Sequence, residues 1–386
     1  MKSKNRHLAF ENEYFSREIM MKPEDSVDLL CRMLEIYSPS GKEEEIASFI
    51  EEELGRLGFE AVRRDKVGNV YGEIGSGFYS ILLCGHMDTV PGWIPVKRKD
   101  DRLYGRGAVD AKSSLAAMIS AAAMLKSKIQ DQGKVIVAGV IDEERKAKGI
   151  RQLLREDLKV ECAIFGEPSG LRNITFAYKG RVSLRIICET QTGHIGAQHL
   201  FDNAVEIAFD LWRFLKGSCN EYKSPHGLFY SLSPSLMKIK SRRTTGGVPD
   251  KCLLEIDLRL PPKFSSERAI QLTKDVIKKF LKKKKQVSVV IQVMDRVEPF
   301  VARRNTIVME SLKEAILEVT GEPVRFLRKT GTGDMNIFGA EKKIPVATYG
   351  PGDARLSHTR CEYIEIPEYL ASIQVYKRTI ERILSK

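Results

Sequence analysis

Apolar and polar positions recur with two periods along this chain, and the change from one to the other marks out its elements. In "GKEEEIASFIEEELGRLGF", Ile46, Phe49, Ile50, Leu54 and Leu57 fall at helical spacing and a glycine follows the last of them. This predicts an amphipathic helix with an acidic outer face. Short β-rich runs follow, "SILLCGHMD", "KVIVAGVIDEE", "VECAIFGEP" and, near the end, "KIPVATYGPGD", each closed by polar residues. Between the first two, the alanine-rich stretch from about Ser113 to Lys126 reads as a helix buried against a sheet. Strands alternating with helices predict an α/β fold: a doubly wound, mostly parallel sheet covered on both faces.

The middle third changes character. From Arg181 the order is strand ("RVSLRIIC"), helix ("FDNAVEIAFDLWRFLKG"), two strands ("LSPSLMKIKS", "KCLLEIDLRLP"), helix ("SSERAIQLTKDVIKKFLKKKK") and strand ("QVSVVIQVM"). That βαββαβ order is the ferredoxin-like unit. A complete unit inserted into a doubly wound domain accounts for a length of 386 residues, more than one typical domain. The expected division is a catalytic domain of residues 21–179 and 297–386, an inserted unit of 180–296, and an N-terminal extension, 1–20, with the character of a disordered segment.

Composition narrows the class. At 42% hydrophobic and 30% charged, the chain is that of a soluble globular protein. Its longest small-apolar run, "LAAMISAAAML", is too short to cross a membrane. The charged N-terminus lacks the apolar region of a secretory signal, which points to the cytoplasm. Seven cysteines without a CxxC pair read mostly as buried free thiols. The net charge of +12, with clusters at Lys282 to Lys285, Arg242 with Arg243, Arg303 with Arg304, and Arg325 to Lys329, suits an acidic partner. The alternative is a solvated basic surface.

The chemistry sits where the apolar runs stop. His86 and Asp88 end the first; Asp142, Glu143 and Glu144 the second; Glu167 the third; His358 follows the last; and Asp110 precedes the alanine-rich helix. Ligands of open α/β sheets bind beyond the carboxyl ends of the strands. Singly, such carboxylates are more often helix caps. Together, two imidazoles and several carboxylates at one sheet edge call for a divalent cation. Without a cysteine pair, the donors suit Zn, Mn or Co in a catalytic site. They suffice for two ions sharing a bridging aspartate, with one of Glu143 and Glu144 binding metal and the other taking a proton from water.

The motifs "CGHMDTVPG", "GRGAVDAKSSLAAM", "IDEER", "FGEPSG" and "SHTRCEYIEI" resemble, in order and spacing, the di-zinc amidohydrolase family of acetylornithine deacetylase, succinyl-diaminopimelate desuccinylase, aminoacylase and carboxypeptidase G. The resemblance implies two divalent ions, zinc foremost with cobalt or manganese as alternatives. It implies His86, Asp110 and Glu167 as ligands of one ion and Asp110, Glu144 and His358 of the other, with Glu143 as general base and Asp88 orienting His86. It also implies a homodimer formed through the inserted unit, which sends a histidine into the partner's site. His194 in "TGHIGAQ" falls there, although Ile195 follows it where the family has a small residue, and His199 is a weaker competitor. A surface-loop histidine is the plainer alternative.

Arg259 in "IDLRLPP" matches the family's carboxylate-gripping arginine. Thr332, Gly333 and Asp334 match its glycine-threonine-serine-aspartate loop, with glycine in place of serine, and Arg355 lies in "YGPGDARLSHT". These details look most like the lysine-biosynthesis branch, whose members release lysine or ornithine from the terminal glutamate γ-carboxyl of a small acidic amino-group carrier protein of the LysW type. An acidic carrier matches the basic excess, and no nucleic-acid-binding module accompanies the charge. The competing readings are a deacylase or dipeptidase acting on small molecules, and a metal-dependent binding protein on a decayed enzyme scaffold.

Overall fold

The structure, a computed structural model, describes residues 21–242, 246–282, 284 and 286–385. The expected N-terminal extension lies outside the described residues, as do Arg243, Lys283 and Lys285 of the basic clusters. Four strands form the centre of a nine-stranded sheet: Lys134–Val140, Ser80–His86, Cys162–Gly166 and Val346–Tyr349, side by side and parallel. Antiparallel strands flank them, Val70–Ile74 and Glu60–Arg64 on one side and Asn173–Tyr178 on the other. Asn173–Tyr178 also pairs with Arg325–Lys329 and Phe300–Val301, so the sheet is parallel at its centre and mixed at its margins.

The central strands are buried on both sides, which is why they read as unbroken apolar runs. Helix Asp334–Lys342 covers one face, with Phe338 against Phe165 at 5.3 Å between ring centroids. The alanine-rich helix, Lys112–Ala123, covers the other and is buried along its whole length. It ends three residues earlier than its composition predicts, and a separate turn, Lys126–Ile129, leaves Lys126 and Lys128 at the surface.

The register explains how this helix sits so close. Gly85 pairs with Gly139 on one side and Gly166 on the other, a row of three glycines across three strands. A Cβ at Gly85 would meet the Leu115 side chain at 3.1 Å, and one at Gly166 would meet Ser114 Cβ at 2.9 Å. The bare row therefore lets the first turn of the helix lie against the strand ends.

Residues between the two parts of this sheet build a second, antiparallel sheet in the order Ser233–Ser241, Lys251–Leu260, Gly180–Glu189, Ser288–Val297. Helices Ala204–Cys219 and Ser266–Leu281 pack on it around a separate core. Strand Gly180–Glu189 alternates strictly between buried and half-buried residues, as a sheet with one covered face must. The βαββαβ order is as the sequence predicts. Where the chain enters and leaves this unit, Asn336 Nδ2 donates to the carbonyls of Lys179 and Glu298, both at 3.0 Å. Among the described residues no helix is long and apolar enough to cross a membrane.

Replacing Gly166 by alanine should destabilise the protein by about 1 to 3 kcal/mol through overpacking against the helix. Gly217→Ala, in a helix where nothing lies within 4 Å of the added methyl, should be neutral or stabilising. Urea unfolding of both variants measures the contrast.

Candidate metal centre

The strand ends deliver the site. His86 is the last residue of its strand and is 1% exposed. Its Nδ1 lies 2.9 Å from the carbonyl oxygen of Asp88, so that nitrogen carries a proton and Nε2 is the one turned to the crevice. The Asp88 carboxylate is farther from the ring, at 3.5 Å. It accepts instead from Ser40 Oγ at 2.6 Å and from the amides of Glu143 and Glu144 at 3.1 and 3.2 Å. Asp88 thus ties two strand ends together as well as supporting the imidazole.

The next strand ends in an elbow. Asp142 has a left-handed φ of 59°, its carbonyl accepts from the amides of Arg145, Lys146 and Ala147, and its own amide donates to Glu43. Expected among the strand-end acids, Asp142 is buried and shapes the turn that turns out Glu143 and Glu144. Asp110 is held by an acid the sequence did not single out. Buried Glu362 accepts from the amides of Gly107, Val109 and Asp110 and pairs with Arg106 at 2.8 Å.

These supports bring the expected acids and imidazoles together. Asp110 places Oδ1 3.3 Å from His86 Nε2 and Oδ2 3.3 Å from His358 Nε2, so one carboxylate stands between two imidazoles. Glu144 Oε1 is 2.8 Å from His358 Nε2, and Glu167 Oε1 is 3.9 Å from His86 Nε2. Two groups of donors have spacings that could hold an ion: His86, Glu143 and Glu167, and Asp110, Glu144 and His358. The first contains Glu143, which the resemblance casts as the base, in the place of Asp110.

Electrostatics follow from crowding. Burial pushes the Glu143 carboxyl well up, reinforced by Glu167, and pushes Glu167 up to about 7 despite Lys329. Burial would also raise Asp110, but hydrogen bonds to His358 and His86 hold it well below the usual range. His358, half exposed, is raised to about 10 by Asp110 and then Glu144.

The remaining expected residues fall in two sets. Thr332, Gly333 and Asp334 run beside the centre: a Cβ on Gly333 would lie 3.7 Å from Glu167 Oε1. Asp334 opens the following helix, buried, with Oδ1 unpartnered and its carboxyl raised by burial to about 8. The other three stand apart. Arg259, in the inserted unit, pairs with Asp257 at 2.7 Å, and exposed Arg355 pairs with Asp353. His194 is exposed, bridges to Gly247, and accepts the Gly196 amide on Nδ1. No hydrogen bond or ion pair found for these three among the described residues reaches the carboxylate cluster. Lys329, read in the sequence only as part of a basic cluster, has its Nζ 3.8 Å from Glu167. Its position at a strand end was the available signal.

The chain belongs to peptidase family M20/M25/M40, whose model matches residues 82–382. Curated relatives align nearly end to end. A putative [LysW]-lysine/[LysW]-ornithine hydrolase of Pyrococcus abyssi is 33% identical over 94% of this chain and 95% of its own. The [LysW]-lysine/[LysW]-ornithine hydrolase of Sulfurisphaera tokodaii is 31% identical, covering 93% and 96%. The [LysW]-lysine hydrolase of Deinococcus radiodurans is 32% identical, covering 92% and 96%. Among solved structures, a Staphylococcus aureus tripeptidase superposes with a TM-score of 0.81 at 19% identity, covering 95% of this chain and all of that one. An M20 family metallo-carboxypeptidase of Sulfolobus solfataricus gives 0.78 at 17%, covering 94% and 100%. At such identities these two attest the fold.

The raised His358 sets a pH dependence. In the metal-free protein its imidazole is protonated at neutral pH, and an ion taking that nitrogen must displace the proton. Calorimetric titration with zinc in buffers of differing ionisation enthalpy should show proton release near pH 7, and affinity should rise with pH. The sign for the apo protein is opposite. His358 contributes stability that is complete below its unfolded value of about 6.5 and is lost as pH rises through about 10.

Proposed function

We propose that the chain is a two-metal amidohydrolase that releases lysine or ornithine from the γ-carboxyl of the glutamate ending a small acidic amino-group carrier protein. The carrying observation is Asp110, whose two oxygens each face a different imidazole, the arrangement a bridging ligand needs. The full-length similarity to [LysW]-lysine and [LysW]-ornithine hydrolases supports the substrate, and a net charge of +12 favours an acidic partner.

In this reading His86, Asp110 and Glu167 hold one divalent ion and Asp110, Glu144 and His358 the other. All are oxygen and nitrogen donors without thiolate, a set that suits zinc, with cobalt or manganese as substitutes. Such ions, when bound, polarise an amide carbonyl and make a water acidic enough to ionise at neutral pH. Glu143 then takes the proton of the attacking water and passes it to the departing amine as the C–N bond breaks, leaving the glutamate carboxylate and the free amino acid. Its burial and its place beside Glu167 keep its proton affinity high enough for that transfer. Asp88 steadies His86 from behind.

His194 belongs, in this proposal, to the site of a second subunit. Its exposed position on the inserted unit, with Nδ1 occupied by the Gly196 amide, leaves Nε2 to donate to an oxyanion across a homodimer interface. Arg259, Thr332, Gly333, Asp334 and Arg355 are assigned to substrate binding. Seven free thiols, five of them buried, are compatible with the cytoplasm.

The test is an assay of zinc- or cobalt-loaded protein on carrier-linked lysine, carrier-linked ornithine and N-acetylornithine. Release of amino acid from the carrier is expected; cleavage of the acetyl compound alone would instead make the protein a small-molecule deacylase, and no cleavage at all would make it a binding protein. Glu143→Gln should lower turnover by about a hundredfold or more while metal content stays near two ions per chain. Loss of metal in that variant would reassign Glu143 as a ligand, as the spacing of its donor group allows. His194→Ala should lower kcat by about a hundredfold, and an unchanged rate would return it to the surface.

A further inference from the structure

A strip of cations leads from the protein surface to the centre. Arg304 places its guanidinium carbon 5.4 Å from the centroid of the Phe176 ring and 5.3 Å from that of Phe326. Arg328 lies 5.2 Å from the same Phe176 ring and 5.9 Å from Tyr230 of the inserted unit. Next along the chain, Lys329 sits 5.8 Å from the Tyr178 ring and reaches Glu167. Arg304 and Arg328 are exposed, and no ion pair is found for either among the described residues.

Two like charges thus share one aromatic ring without a carboxylate between them, and no acid of the protein is found neutralising either among the described residues. Stacking restricts the guanidinium planes while both residues stay exposed, so bidentate carboxylate binding would cost little further freedom. Because the strip runs inward to Lys329 and Glu167, it suits a chain carrying several carboxylates better than a single small anion. We propose that Arg304 and Arg328 dock an acidic polypeptide tail, holding it while its terminal residue enters the crevice beside Glu167. The inference rests on the carrier reading above and specifies where the carrier is gripped.

Binding can be read without turnover, by fluorescence anisotropy of a labelled glutamate-rich peptide ending in glutamate, against a single-stranded oligonucleotide of equal charge. The double variant R304Q/R328Q should weaken peptide binding by about tenfold at low salt and flatten its salt dependence. R304K/R328K, which keeps the charge but loses the planar fork, should bind with an affinity between that of the unmodified protein and that of the glutamine variant. The proposal is overturned if R304Q/R328Q binds the peptide as the unmodified protein does. It is equally overturned if the lysine variant is as weak as the glutamine one, which would indicate lost packing on Phe176, or if the oligonucleotide binds as tightly with the same sensitivity. A protein that binds the peptide through these arginines yet cleaves no carrier-linked amino acid would overturn the reaction and not the docking strip.

Discussion

The row formed by Gly139, Gly85 and Gly166 is the constraint on which the rest of the centre depends. Only a strand surface without side chains lets a helix begin this close to the sheet, with Leu115 and Ser114 seated where Cβ atoms would otherwise stand. The helix begins two residues after Asp110, so the depth of its seating decides how near that carboxylate comes to His86. Strand register, a property of the backbone, is thereby converted into the spacing of two donor atoms.

Around that contact the protein keeps acids close together by giving each a different partner. Asp88 is satisfied by Ser40 and two amides, Glu362 by three amides and Arg106, and Asp110 by two imidazoles. Glu143 and Glu167 have no comparable set, and both hold their protons more tightly than an ordinary carboxyl. Asp88 and Asp110, both held below the usual carboxylate range, are therefore charged in the folded protein, while Glu143 and Glu167 are the ones under electrostatic pressure.

The sequence made the main parts of this centre legible because each stands at the end of a recognisable apolar run. His86 ends a central strand and Glu143, Glu144 and Glu167 follow central strands within a few residues, and the period-2 and helical patterns of the middle third were enough for the βαββαβ unit. The supports were not legible, for a reason of distance along the chain. Glu362 lies 252 residues from the Asp110 amide it accepts, and Ser40 lies 48 residues from Asp88. A lone glutamate or serine carries no periodic signal; only the folded backbone shows which amides it meets. Asp142, by contrast, was visible as an acid but not as an elbow, since a left-handed φ outside glycine leaves little trace in composition.

Asn336 gives the two units a common pivot. Its Nδ2 holds both chain crossings, at Lys179 and Glu298, and its Oδ1 accepts the amide of Gly333, whose loop passes beside Glu167. One carboxamide thus ties both chain crossings to that loop. Any swing of the inserted unit would load these hydrogen bonds and, through the Gly333 amide, the loop that borders Glu167.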